Sequence, residues 1–191
     1  MKHLLILAQC IDRLNQAIGR AATWLILLMV LISAGNAIVR KAFNMSSNSL
    51  LEIQWSLFAA VFLLAAAYTL LKNEHVRIDV LSSRLSLRAQ AWIDIFGALF
   101  FLLPLCVLMM YYAVPFFLES YESQEWSNNP GGLILWPAKA LIPAGFVLLG
   151  LQGVSEIIKR IGFLLGIIPL SETPRVHCGQ EATHTSPEQH S

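Results

Sequence analysis

Four stretches of this chain carry no aspartate, glutamate, lysine or arginine: residues 21–39, 53–71, 95–118 and 140–155. Wound as helices, the first two reach about 28 Å, close to the ~30 Å hydrocarbon thickness of a bilayer. Inside that layer the backbone N–H and C=O groups have only each other to bond, so an apolar run of this length crosses as a helix. The third run is longer than a crossing needs. It must tilt or bend, and Pro104 near its centre removes one ladder hydrogen bond, which predicts a kink there. The fourth is short between Lys139 and Glu156, and it reaches full length when those two charges sit at opposite interfaces. The expected fold is therefore an all-α membrane protein with spans at about 21–39, 50–71, 95–118 and 137–158.

Composition supports lipid as the solvent. Hydrophobic residues make up 56% and charged residues 13% of the 191, against about 25% charged in a soluble domain. A net charge of +1 gives no field to attract nucleic acid. Cys10, Cys106 and Cys178 show neither a paired motif nor metal-ligand spacing. The opening MKHLLILAQC has a short apolar stretch, and Gln9 stands where a lipoprotein signal has a small residue, so the segment is expected to be retained. No nucleophile–base set, phosphate-cradling glycine loop or paired in-membrane carboxylates stand out, so no enzyme activity, cofactor or metal is expected.

Alternate sides of the four spans differ sharply in basic residues. Lys2, Arg13, Arg20, Lys72, Arg77, Arg84, Arg88, Lys159, Arg160 and Arg175 fall on one side; Arg40, Lys41 and Lys139 fall on the other. The positive-inside rule puts both termini of a multi-pass protein in the cytoplasm. Trp24 and Trp92 lie near inner ends of spans, and Trp55, Trp126 and Trp136 at or beyond outer ends, as an aromatic belt. Leu4, Leu7, Ala8, Ile11, Leu14 and Ile18 recur at helical spacing, which predicts an amphipathic helix on the inner surface over residues 1–20. Leu81, Leu85 and Trp92 form a second apolar stripe, with Arg84 and Arg88 placed for anionic headgroups. Residues 161–191 are expected to be a cytoplasmic tail, disordered from about 171 because the sequence there is too polar to pack.

Three polar motifs interrupt this pattern. Glu52-Ile-Gln54-Trp55 sets a carboxylate at the outer mouth of span two, readable as a subunit contact or ion site, or as an acid favoured by the helix dipole. Lys72-Asn-Glu-His75-Val-Arg77-Ile-Asp79 reads as a helix exit fixed by mutual pairing or as a docking segment. The outer loop from Glu119 through Glu122, Glu125 and Trp126 to Pro130-Gly131-Gly132 carries three acids and a turn signal, as a solvated turn or a face for a soluble partner. Small residues at Ser33 and Ala37, Ser56 and Ala60, and Gly150 and Gly153 mark candidate helix contacts.

The Glu52-Ile-Gln-Trp55 run, the alanine-rich Leu63–Leu71 and His75-Val-Arg-Ile-Asp-Val80 resemble the small permease subunit of tripartite ATP-independent periplasmic (TRAP) transporters, the DctQ-like family. Ser127-Asn-Asn-Pro-Gly-Gly132, Trp136-Pro-Ala-Lys139, Ile142-Pro-Ala-Gly-Phe146 and Leu151-Gln-Gly153 resemble the same family. The resemblance implies a scaffold beside a large membrane subunit that holds the substrate and sodium sites, with a periplasmic binding protein delivering a small organic acid. The Ser-Asn-Asn-Pro-Gly-Gly loop looks like a branch associated with carboxylates. No residue is assigned to substrate by the resemblance; from their positions Glu52, Gln54, Trp55, His75, Arg77 and Asp79 are candidates for subunit contact or helix exit, and Glu119, Glu122, Glu125 and Trp126 candidates for facing the binding protein. Trp24, Trp92, Trp136, Arg84 and Arg88 are the expected interfacial anchors. Two other readings stay open on residues alone: a four-helix anchor of a redox complex, which needs axial histidines or quinone-facing polar groups at membrane depth, and a stand-alone small transporter.

Overall fold

The computed structural model of the chain describes residues 2–43, 48–72 and 86–166. His75, Arg77, Asp79, Arg84 and the tail expected beyond residue 171 lie outside them. Six elements carry the described chain: α1 (Lys2–Phe43), α2 (Asn48–Lys72), α3 (Leu87–Gly97), a π-helical turn (Ala98–Leu102) leading into α4 (Leu103–Glu122), and α5 (Trp136–Leu164). Counting α3 to α4 as one rod, four helices are long and apolar enough to cross a membrane, as the charge-free runs require. Among the described residues there is no strand, only an isolated antiparallel bridge between Trp126 and Ile134.

Helix α1 is unbroken. The amphipathic segment expected as a separate surface helix over residues 1–20 continues into the span expected at 21–39, because no proline interrupts residues 2–43. At 1.5 Å per residue the rod is about 63 Å long, twice the hydrocarbon thickness. Its buried line, Ala8, Ile11, Asn15 and Ala22, recurs at helical spacing, while Leu4, Leu7 and Leu14 stay exposed.

Where a kink is expected at Pro104, a π-helical turn over Ala98–Leu102 precedes the proline. Leu103 N–H bonds back five residues to the Ala98 carbonyl, and this wider turn accommodates a proline that has no N–H for Phe100 and whose ring would crowd that carbonyl. Helix α5 begins with Pro137 in its first turn, where no N–H is needed. It ends at Leu164, and Gly166, two residues on, takes a φ of 71° that suits the left-handed stop after a helix.

Packing is inverted relative to a soluble bundle. The buried apolar residues are small ones for the most part, among them Ala8, Ala22, Ala60, Ala67, Ala91 and Ala113. Large ones face outward, with Trp24 at 72% and Tyr111 at 73% exposure. In water such a surface would be an aggregation liability; in lipid it is the solvated face, and small residues let helix backbones approach. Helix α5 sits at the centre, in contact with α1, α2, α3 and α4. At Gly145 an added Cβ would lie 2.8 Å from Leu63 Cβ and 3.0 Å from the Leu63 carbonyl oxygen, so α2 and α5 touch through backbone.

Candidate functional site

Polar side chains gather at both ends of this bundle. At the loop end, one turn and a half of α2 grips the segment between α4 and α5. Asn48 Nδ2 donates to the Pro130 carbonyl at 3.1 Å and Ser49 Oγ to the Gly131 carbonyl. Buried Glu52 takes three donors: Ser127 Oγ and Asn129 Nδ2 (2.9 Å) on Oε1, and the Leu133 N–H (2.7 Å) on Oε2. The loop is preshaped for this. Gly132 N–H donates to the Asn129 carbonyl at 2.9 Å, Ser127 N–H to the Leu133 carbonyl at 2.9 Å, and Gly131 takes a φ of 72° that favours glycine.

The same loop is closed at its base by Lys139, which bonds Glu125 and lies 4.2 Å from the centre of the Phe116 ring. The Lys139 ammonium holds the Glu125 carboxyl below its ordinary value. Leu135 N–H donates to the Glu125 carbonyl at 3.0 Å, and the Tyr121 and Trp136 rings meet edge to face at 5.4 Å. Glu119 and Glu122 remain exposed, and the Trp126 indole is 62% exposed on the loop flank. Of the four residues expected to face a binding protein, Glu125 is therefore tied to Lys139 while Glu119, Glu122 and Trp126 are open.

At the opposite end, α1, α3 and α5 meet through a polar ladder. Asn15 Nδ2 donates to Gln152 Oε1 at 2.8 Å, and Gln152 Nε2 donates to Asp12 Oδ1 at 3.0 Å. Ser155 Oγ donates to the same Asp12 oxygen at 2.8 Å, and Lys159 bridges Asp12 Oδ2 (3.1 Å) and Glu156. Arg160, almost fully buried, lies 3.4 Å from Asp94 on α3 and 3.9 Å from Glu156. Gln152 and Ser155 are wholly enclosed. Removing one member of a buried ion pair costs about 3–5 kcal/mol because its partner stays charged, so this network fixes three helices in one register.

The sequence reading counts Lys159 and Arg160 only among the cytoplasmic-side basic residues and passes over Asp12, Asn15, Gln152 and Ser155 as a group. A signal was present: Gln152, Ser155, Glu156 and Lys159 fall at i, i+3, i+4 and i+7 within an apolar helix, the spacing of a polar helix contact. Of the other candidates, Gln54 lines a cleft between α1 and α2, and Trp24, Trp55, Trp92 and Arg88 are exposed. Trp136 is half-buried against Tyr121. Among the described residues no three His, Cys, Asp or Glu side chains cluster to hold a metal.

The two stretches that pair at Glu52, α2 and the Ser127–Gly132 loop, both fall within residues 12–162, which match the family described as "Tripartite ATP-independent periplasmic transporters, DctQ component". The chain belongs to this DctQ family. Its members are subunits of a transporter assembled from a small and a large membrane component and a binding protein, and the family is not one of enzymes. The match begins at Asp12 and ends beyond Arg160, so both polar assemblies of this DctQ component lie inside it. Comparisons with curated proteins and with solved structures find no match.

Proposed function

We propose that this chain is the fixed scaffold of a TRAP transporter in a bacterial inner membrane, with both termini cytoplasmic. It braces a large membrane subunit while that subunit moves a small organic acid inward with sodium, and a periplasmic binding protein delivers the solute to the side bearing the Ser127–Gly132 loop. The observation that carries this reading is where the charges between the helices go: the half-buried Asp12, Asp94 and Lys159 and the buried Glu156 and Arg160 pair with one another across α1, α3 and α5. Charges locked this way confer rigidity and leave no ionised side chain of the ladder to bind solute. Glu119, Glu122 and Trp126 provide the acidic and aromatic surface for the binding protein. Trp24, Trp92, Trp136, Arg84 and Arg88 act as anchors at the headgroup level, and the His75–Asp79 segment serves as helix exit or subunit contact.

The reading is tested by co-expressing the tail-tagged chain with a large TRAP membrane subunit from the same genome. Stoichiometric co-purification is expected. A large subunit that transports at full rate in membranes lacking this chain would remove the scaffold role, and a haem absorbance band in the purified chain would favour the redox anchor instead.

A further inference from the structure

Gln54 and the outer turns of α1 leave a second site unexplained. A cleft of about 730 Å³ opens between α1 and α2 near the loop end, lined by Ser33, Asn36, Arg40 and Lys41 from α1 and by Leu51 and Gln54 from α2. Its size is in the range that takes small-molecule ligands. Asn36 is only 9% exposed, and its carboxamide oxygen has no hydrogen-bond partner. Among the described residues neither Arg40 nor Lys41 forms an ion pair. The buried Asn36 oxygen is costly to leave without a donor, and the two exposed cations at the cleft mouth, unpaired among the described residues, are free to attract an anion.

We propose that the cleft binds a phospholipid of net negative charge. The order of its groups matches the order of groups in such a lipid. Arg40 and Lys41 form the rim, close to where α1 ends and where headgroup phosphates lie. The amides of Asn36 and Gln54 come next, Asn36 about 6 Å deeper than Arg40 along the helix, at the level of the glycerol backbone: their NH2 groups can donate to ester carbonyls, and the unpartnered Asn36 oxygen can accept from a hydroxyl of the headgroup. Deeper still, Phe58 and Phe62 follow Gln54 at one and two turns, and Val30 and Ile26 precede Ser33 at the same spacing, all exposed and apolar. They form the track for acyl chains. An acidic side chain from a partner helix would satisfy the cations alone; the lipid satisfies all three tiers.

The test is native mass spectrometry of the full chain in mild detergent, titrated with dioleoyl phosphatidylglycerol, dioleoyl phosphatidylcholine or glycerol phosphate. Retention of phosphatidylglycerol over phosphatidylcholine by at least about tenfold is expected, set by the attraction of two basic side chains for an anionic headgroup. Arg40→Gln with Lys41→Gln removes that preference, and so does Gln54→Glu, in protein that stays monodisperse on gel filtration. Equal retention of the two lipids by the unaltered chain overturns the proposal without reference to any variant. Displacement of the lipid by equimolar glycerol phosphate makes the cleft a site for soluble anions and likewise overturns it. Variants that keep the lipid preference but lose co-purification with the large subunit assign the cleft to an acidic partner helix instead.

Discussion

Replacing Gln152 by leucine removes the centre of the polar ladder without opening a cavity, since the two side chains are similar in volume. Gln152 is fully enclosed, and its amide links Asn15 to Asp12. A neutral hydrogen bond between membrane helices is worth about 0.6 kcal/mol on average and up to ~1.7. Stranding the buried Asn15 amide adds a desolvation cost of about 1–3 kcal/mol. Asp12 keeps Ser155 and Lys159, so its own loss is small, and Gln152→Leu should destabilise the protein by about 2–4 kcal/mol. Asn15→Leu strands Gln152 Oε1 and costs a similar amount. The double variant removes both polar groups together and should fall short of the sum by about 1–2 kcal/mol, the signature of direct coupling. Reversible unfolding in mixed micelles titrated with dodecyl sulfate, followed by tryptophan fluorescence, measures all four corners of the cycle. Gln152→Leu within about 0.5 kcal/mol of the unaltered chain, or strict additivity in the double variant, would refute the ladder as a helix clamp.

Glu52→Ala strands the Leu133 N–H together with the Ser127 and Asn129 donors, so amide hydrogen exchange at Leu133 accelerates by at least about tenfold; unchanged exchange would separate the loop from α2. The Lys139 ammonium holds Glu125 below its ordinary value of 4.5, so the pair's contribution is complete above that value and is lost as pH falls through the lower folded one. Exchange at Leu135, corrected for intrinsic rate, should be flat from pH 7 to about 5 and rise below about 4.5; Lys139→Met abolishes that acid limb. Gly145→Ala forces a methyl against Leu63 Cβ at 2.8 Å and its carbonyl oxygen at 3.0 Å, and should lower stability by about 1–3 kcal/mol because backbone cannot step aside as a side chain can. Retained stability in that variant would mean α2 and α5 stand further apart.

The four crossings were legible because hydropathy is additive over a run, and nothing in 53–71 or 95–118 competes with it. The Pro130-Gly131-Gly132 turn was legible for a local reason, since Gly131 takes a positive φ. Contacts between distant residues were not. Glu52 and the loop from Ser127 to Leu133 were each singled out, yet no local rule pairs a helix acid with donors more than seventy positions away. The ladder was hidden for a different reason: Gln152 and Ser155 are single polar residues within an apolar run, and averaging over the run removes them. Continuity of α1 was missed because amphipathic and uniformly apolar periods look like two elements, although no breaker separates them. The turn before Pro104 was half legible, since the proline announces a disturbance but not that a π-helical turn absorbs it.

Reconstitution separates a brace from a pathway. Vesicles with an inward sodium gradient are prepared with this chain alone, and with this chain, the large subunit and the binding protein together, and are offered a panel of labelled dicarboxylates and keto acids. Uptake of one of these acids by the three-component vesicles, with no flux above protein-free vesicles for the chain alone, is the result expected of a scaffold. Sodium-dependent accumulation by the chain alone would contradict it.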